Sequence, residues 1–173
     1  MNASLAIPEI SAGRRVLSWI PTLLWVALIA WFSTDLFSSA HTGSVLLKII
    51  HLVYGEISKK SFHLIHALVR KSAHFGVYAI LGGLSFYSWR TTLPDFPRWK
   101  FRWAGLALAV VLVTASLDEW HQGFLPSRTG TARDVVLDMI GAVFMQILIA
   151  GFEKTRKNKT FAPRRHGAAE QEK

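Results

Sequence analysis

The sequence predicts an all-α membrane protein: a bundle of about four transmembrane helices with an outer-side helical insertion between the first two spans. Hydrophobic residues make up 51% of the 173-residue chain, and they gather into four long runs that each contain at most one charged residue. The net charge is nevertheless +9, and most charged residues lie between or beyond these runs. Soluble proteins of this length rarely combine both features, whereas membrane proteins do, because their connecting segments carry the charge.

The four predicted spans are near the lower limit of the length needed to cross a hydrocarbon core of about 30 Å. In chain order they are residues 16–32, 72–89, 101–117 and 135–152. The first carries Pro21 near its start, the second is less hydrophobic than the others, and the fourth holds one acid, Asp138. Tryptophans at or near the span ends indicate an interfacial aromatic belt. They are Trp19, Trp31, Trp89, Trp103 and Trp120.

The connection between the first two spans is too long to be a bare turn. Residues 45–54 form an apolar run inside it that is too short to cross a membrane. We interpret this run as a helix on the outer side, either interfacial or re-entrant. From about Ser58 onward, helical spacing continues without a break into the second span.

The distribution of Lys and Arg predicts the orientation. Thirteen of the twenty lie in the N-terminal segment, in the link between spans two and three counted with Arg102 at the start of span three, and in the C-terminal tail. Because positive residues mark cytoplasmic loops, we expect a multi-pass protein of the inner (plasma) membrane with both termini cytoplasmic. Residues 1–15 are then a cytoplasmic segment, residues 16–152 the transmembrane domain, and residues 153–173 a basic, disordered cytoplasmic tail.

The composition also limits the partners. The placement of the basic residues fits membrane topology, so we expect the lipid bilayer as a partner and no nucleic acid. The chain has no cysteine, which excludes disulfides, thiolate zinc sites and cysteine nucleophiles. We expect no cofactor, and the sequence leaves the oligomeric state open.

Polar residues converge at the outer ends of the predicted spans. Ionisable groups at membrane depth are costly, so they normally face a polar interior and pair with one another. Several members of this set are three or four residues apart, which places them on one helix face. The candidate ligand-binding residues are Lys71, His74, Asp118, Glu119, Gln122, Arg128, Asp134 and Asp138.

Two blocks of this set resemble a known family. The first is KSAHFGVY, which begins at Lys71; the second begins with DEWHQGF at Asp118, continues through Arg128, and ends with DVVLDMIG from Asp134. Their order and spacing are similar to those of the VanZ-like family, in which a Lys-x-x-His-Phe-x-x-Tyr run precedes Asp-Glu-x-x-Gln-x-Phe, Arg and Asp-x-x-x-Asn-x-x-Gly. The chain departs from this pattern at Asp138, where the family usually shows Asn, which adds a potential negative charge in the membrane.

The resemblance implies a function in the bacterial cell envelope. It implies an outward-facing polar site that binds a cell-wall precursor, a lipid headgroup or a glycopeptide. It also implies a contribution to low-level resistance to teicoplanin, a glycopeptide that acts on peptidoglycan precursors outside the membrane. In such a site Arg128 and Lys71 would bind anions, while the acids would orient them or engage an ammonium group.

Other interpretations of these residues stay open. Arg128 with Asp118, Glu119 and Asp134 also fits a purely structural network that holds the loop between two spans. Glu119 and His74 also fit a general acid–base pair in a membrane enzyme that modifies a lipid-linked substrate. No nucleophile motif is visible around Ser116 or Ser127, so a non-enzymatic role is favoured. A small transporter is the least favoured class, because the charges cluster at one face.

A metal site is not expected from histidine spacing. His63 and His66 are three residues apart, His74 lies further along the same helix, and His121 adjoins the acidic pair. A His-x-x-His pair on a helix can ligate zinc. Most such pairs on an amphipathic helix simply lie at an interface, so we predict no metal ligands.

Overall fold

The structure, a computed structural model, describes residues 10–34, 39–93, 101–126 and 130–161, with the backbone alone at residues 39–40 and 157–161. All long elements in this part of the chain are α-helices, and no strand occurs in it. The helices are α1 (Ala12–Leu17), α2 (Ile20–Phe32), α3 (Ser39–Tyr54), α4 (Lys59–Thr92), α5 (Phe101–Gln122) and α6 (Ala132–Phe161). The all-α prediction is therefore confirmed.

Three helical stretches of the described chain are long and apolar enough to cross a membrane. They are Ala12–Phe32, Phe101–Gln122 and Ala132–Arg156, which correspond to the first, third and fourth predicted spans. Their apolar side chains remain open to the surroundings, with exposures of 59% at Val113, 63% at Ile147 and 67% at Phe152. Apolar surface of this extent is unfavourable in water, so the chain is a membrane protein.

The first of these stretches is interrupted. Helix α1 ends at Leu17 and α2 begins at Ile20, with a turn at Ser18 and Trp19 between them. Pro21, in the first turn of α2, has no N–H group, and in one continuous helix its ring would clash with the carbonyl of Leu17. The predicted first span therefore consists of two helical segments.

Helix α4 is longer than a membrane is thick. Its 34 residues extend over about 50 Å at 1.5 Å per residue, whereas the hydrocarbon core measures about 30 Å. The hydroxyl of Ser58 caps its start by accepting a hydrogen bond from the Ser61 N–H at 3.1 Å. The unbroken helix confirms the predicted continuity from about Ser58 into residues 72–89.

Helix α3 contains the apolar run of residues 45–54. Its side chains are largely exposed, including Leu52 at 86% and Tyr54 at 82%. It approaches the first half of α4 at Gly43, where an added methyl group would lie 3.6 Å from the ring of His66. The insertion is therefore helical and lies beside the part of α4 that precedes residues 72–89.

Close packing of α4 against α6 holds the bundle together. A methyl group at Gly82 would lie 3.2 Å from Ala142, and one at Gly141 would overlap the carbonyl oxygen of Phe75. The buried amide of Gln146 donates to the Gly82 carbonyl oxygen at 3.0 Å. Lipid provides no hydrophobic driving force between helices, so small residues and hydrogen bonds of this kind determine which helix faces meet.

The tryptophans follow the predicted interfacial belt only in part. Trp31 and Trp120 are exposed, at 55% and 66%. Trp103 is 1% exposed, and its ring lies edge-on to that of Phe86 at a centroid distance of 6.0 Å. The belt prediction was wrong for Trp103, because α5 turns this residue toward α4 and away from lipid.

The contact at Gly141 predicts a specific loss of stability. We expect Gly141→Ala to lower the free energy of unfolding by about 1–3 kcal/mol, because the new methyl group overpacks the interface. The matched control is Gly151→Ala in the same helix, where nothing lies within 4 Å of an added methyl group. Thermal unfolding of the purified proteins in detergent measures the difference. Equal melting temperatures for the two variants would contradict the packing argument.

Candidate functional site

The polar cluster lies where one end of α5 meets α4 and the first turns of α6. Helices α4 and α6 run parallel, as successive contacts show: His74 with Asp138, Gly82 with Gln146, and Arg90 with Glu153. The pair Arg90–Glu153, at 2.8 Å, therefore marks the opposite end of the bundle. Five predicted site residues form the cluster: His74, Asp118, Glu119, Gln122 and Asp138.

His74 and Asp138 form the pair at the centre of the cluster. Nδ1 of His74 lies 3.2 Å from Oδ1 of Asp138, whose side chain is completely buried. A carboxylate in a low-dielectric interior needs a partner of opposite charge or a hydrogen-bond donor, and the imidazole occupies that position. The second oxygen of Asp138, Oδ2, is buried and has no hydrogen-bond partner among the described residues.

Glu119 ties the end of α5 to the start of α6. Its Oε2 accepts a hydrogen bond from the backbone N–H of Thr131 at 2.8 Å. The Thr131 hydroxyl in turn caps the first turn of α6 by accepting a hydrogen bond from the Asp134 N–H at 3.3 Å. It also donates to Oδ2 of Asp134 at 3.0 Å. Oε1 of Glu119 is buried and has no partner in the described chain. One carboxylate oxygen is thus held in place while the other remains available.

Asp118 accepts hydrogen bonds from two neighbouring side chains. Its Oδ2 accepts from the hydroxyl of Tyr78 at 3.1 Å and from the side-chain amide of Gln122 at 3.0 Å. Gln122 is 1% exposed, and its own Oε1 finds no donor within the part of the chain that the structure describes. The cluster therefore presents three buried oxygen acceptors without a described donor, one each from Glu119, Gln122 and Asp138.

A cavity of about 300 Å³ opens beside the cluster. His74, Asp118 and Gln122 line it at the polar cluster, and its other polar lining residues are Ser33, Thr42, His66 and Arg70. Most of its wall is apolar and comes from three helices. The apolar side chains are Ile29 and Phe32 of α2, Leu46 of α3, and Val69, Ala73 and Val77 of α4. Such a cavity offers an apolar surface and a hydrogen-bonding end to the same ligand.

The remaining predicted site residues lie outside this cluster. Asp134 is at its edge, with Oδ2 4.0 Å from Nη2 of Arg70. Lys71 is exposed and does not line the cavity, whereas its neighbour Arg70 does. Arg128 lies outside the described residues. The anion-binding role predicted for Lys71 and Arg128 therefore stays a prediction.

Three residues that contribute here were not among the predicted site residues. Tyr78 lies one helical turn after His74 in the KSAHFGVY block, and that spacing was the available signal. Thr131 precedes Asp134 by three residues, which is the spacing of a helix cap. Arg70 precedes His74 by four residues, but the sequence does not show whether Arg70 or Lys71 points inward.

One group in the described chain could hold a metal ion. His74, Glu119 and Asp138 each offer a ligand atom, and these atoms all lie within 4.8 Å of one another. The other histidines considered as ligands do not join this group. His63 and His121 are exposed, and the ring of His66 stacks on that of Phe62 at a centroid distance of 5.8 Å.

Comparison with known proteins identifies the family. The VanZ/LLP1 family model matches residues 18–153. No curated protein and no solved structure matches the chain. The matched range covers most of the 173 residues and contains every residue of the polar cluster. The chain belongs to the VanZ/LLP1 family.

Proposed function

We propose that the protein crosses the inner (plasma) membrane four times, with both termini in the cytoplasm and α3 as an outer-side insertion. Residues 72–89 of α4, the second span in chain order, form the crossing that is added to the three long apolar stretches. Their polar groups are compatible with membrane depth, because α2, α5 and α6 pack around them. The surplus of Lys and Arg beyond the opposite end of the bundle supports a cytoplasmic location for that end. Residues 16–152 form the transmembrane domain in this arrangement.

The polar site then faces outward, and we propose that it binds the headgroup of a lipid-linked envelope molecule such as a cell-wall precursor. The observation that carries this proposal is the cavity itself. Its apolar wall suits a hydrocarbon chain, while His74, Asp118 and Gln122 at one end suit a polar headgroup.

The size of the cavity favours a headgroup over a glycopeptide. A volume of about 300 Å³ is at the lower limit of small-molecule sites. It accommodates a headgroup and the first part of a chain, but not a whole glycopeptide. Any contribution to glycopeptide resistance would then be indirect, because the protein would hold the precursor that the antibiotic recognises.

A second candidate function is an enzyme that modifies such a lipid. It is favoured by the contact between His74 and Asp138, since a carboxylate beside Nδ1 orients an imidazole and leaves Nε2 available as a general base. The nucleophile would be water or a substrate hydroxyl, because neither Ser116 nor Ser127 lies in a recognisable nucleophile motif.

The orientation can be tested with single cysteines, because the chain has none. Arg133→Cys and Lys154→Cys change exposed residues near the two ends of α6, about 30 Å apart along the helix. We expect a membrane-impermeant maleimide to label Arg133→Cys in intact cells and Lys154→Cys only after permeabilisation. The reverse pattern would place the polar site in the cytoplasm and contradict the proposed outward-facing site.

Ligand binding in the cavity can be tested by filling it. Ala73 lines the cavity, so Ala73→Trp should block it without changing the polar cluster. We expect at least tenfold weaker binding of farnesyl phosphate, measured by native mass spectrometry of the purified protein. Ala67→Trp is the matched control, since Ala67 is exposed on the same helix and is not part of the cavity wall. Equal binding by the two variants would exclude the cavity as the site.

Glu119→Gln separates binding from catalysis. Glutamine keeps an oxygen that can accept from Thr131 but cannot act as a general base. For a binding protein we expect a graded loss of farnesyl phosphate affinity and an unchanged lipid profile of expressing cells. If Glu119 is the acid–base partner of His74, its loss lowers the reaction rate by about 10²–10⁴. A lipid species that disappears in cells with Glu119→Gln, while binding by the purified protein persists, would favour the enzyme.

A further inference from the structure

We propose that His74, Glu119 and Asp138 bind one divalent metal ion of the Zn²⁺ or Mn²⁺ class at the polar end of the cavity. The three side chains come from α4, α5 and α6, and their ligand atoms lie within 4.8 Å of one another. One imidazole with two carboxylates is a mixed nitrogen–oxygen set, which suits these ions better than softer metals that prefer thiolates.

Unpartnered oxygens provide the first argument. Oε1 of Glu119 and Oδ2 of Asp138 are buried acceptors that no described residue satisfies, and Oε1 of Gln122 is a third beside them. The three side chains are 6%, 0% and 1% exposed. Buried acceptors without donors are unfavourable, and native proteins leave few of them. Three in one cluster indicate that a cationic or donating group belongs there.

The charges provide the second argument. Asp118, Glu119 and Asp138 bring three carboxyl groups together, and His74 is the only described side chain that can offset them by direct contact. The guanidinium of Arg70 lies near Asp134 instead, at 4.0 Å. In a low-dielectric interior like charges this close repel strongly. A divalent cation between the acids would offset that repulsion.

The geometry agrees with coordination. The distance of 3.2 Å between Nδ1 of His74 and Oδ1 of Asp138 is close to the spacing of two neighbouring ligands, each about 2.0–2.2 Å from a metal. The N–H of Thr131 holds Oε2 of Glu119 at 2.8 Å, as partners of metal ligands commonly do. Three protein ligands leave a coordination position open for a further ligand.

The open position gives the ion a function that rests on the proposed one. His74 lines the cavity, so a headgroup there could complete the coordination. The buried carboxylates would repel a phosphate, whereas a bound divalent ion attracts it, and the guanidinium of Arg70 in the cavity wall adds a second positive charge. The inference therefore specifies the headgroup: it carries a phosphate, and the metal binds that phosphate.

Metal titration of the purified full-length protein tests the site. After removal of metals with EDTA, we expect saturable uptake of one Zn²⁺ or Mn²⁺ per chain in calorimetry. We expect Asp138→Asn, which preserves shape and introduces the residue usual in the family, to weaken binding at least tenfold, and Glu119→Gln to do the same. Glu153→Gln is the matched control, because Glu153 is also a partly buried carboxylate of α6 but pairs with Arg90 at the other end; its affinity should equal that of the unchanged protein.

The outcomes distinguish failure of the metal site from failure of the proposed function. Absence of saturable uptake, or equal uptake by Asp138→Asn, Glu119→Gln and Glu153→Gln, would overturn the metal site. If the unchanged protein binds farnesyl phosphate equally with and without EDTA, the metal inference fails and the lipid site stands. If metal uptake follows the expected pattern but farnesyl phosphate never binds, the metal site stands and the proposed function fails. Thermal unfolding verifies that each variant is folded.

Discussion

The close contact between α4 and α6 is the constraint on which the rest of the structure depends. Gly82 against Ala142 and Gly141 against Phe75 bring the two backbones together in a parallel arrangement, and this arrangement places His74 opposite Asp138. A carboxylate buried in the bundle without that imidazole would be strongly destabilising. Helix packing and formation of the polar site therefore depend on each other. The interface positions His74 opposite Asp138, and this pair contributes to the choice of interface. In a membrane, where apolar faces do not distinguish protein from lipid, such paired features specify a unique bundle.

Buried polar groups lie at both ends of the bundle. At the end near α1, the Ser88 hydroxyl donates to the carbonyl oxygen of Ser18 at 2.7 Å and lies 2.9 Å from the hydroxyl of Thr22. These short side chains join the helices. At the other end, buried side-chain oxygens of Glu119, Gln122 and Asp138 lack donors in the described chain, and Gln122 lines the cavity. A polar group that only joins helices is expected to be satisfied by its neighbours. Three unpartnered oxygens in one cluster, next to a cavity, support the proposal that the second end binds a ligand.

Much of this arrangement could be predicted from the sequence, and the limits have physical causes. Length and apolar composition predicted the helical segments, and helical spacing predicted the unbroken start of α4. The rotation of a helix about its axis was harder to predict, because amphipathicity is weak where one side faces lipid and the other faces protein. Arg70 and Lys71 are adjacent in sequence, yet only Arg70 lines the cavity. Trp103 lies near a span end in the sequence. Its position in the core was not predicted, because the sequence did not show the rotation of α5 about its axis.

Distances between helices could not be predicted from residue spacing within a single helix. Histidine spacing gives information only on residues three or four apart in one helix. His74, Glu119 and Asp138 belong to three different helices, and they come close together only through tertiary packing. Ligand selectivity in the proposed site also depends on residues from several helices. Apolar residues of α2, α3 and α4 can distinguish a hydrocarbon chain from a water-soluble ligand, but they cannot distinguish one headgroup from another. That distinction depends on the charged groups: the buried acids favour a cation and disfavour a bare phosphate, whereas Arg70 in the cavity wall favours a phosphate. In the proposed site, whatever compensates the charge of the acids would therefore determine which headgroup binds. Asp138, placed where the family usually shows Asn, makes that compensation more important in this chain.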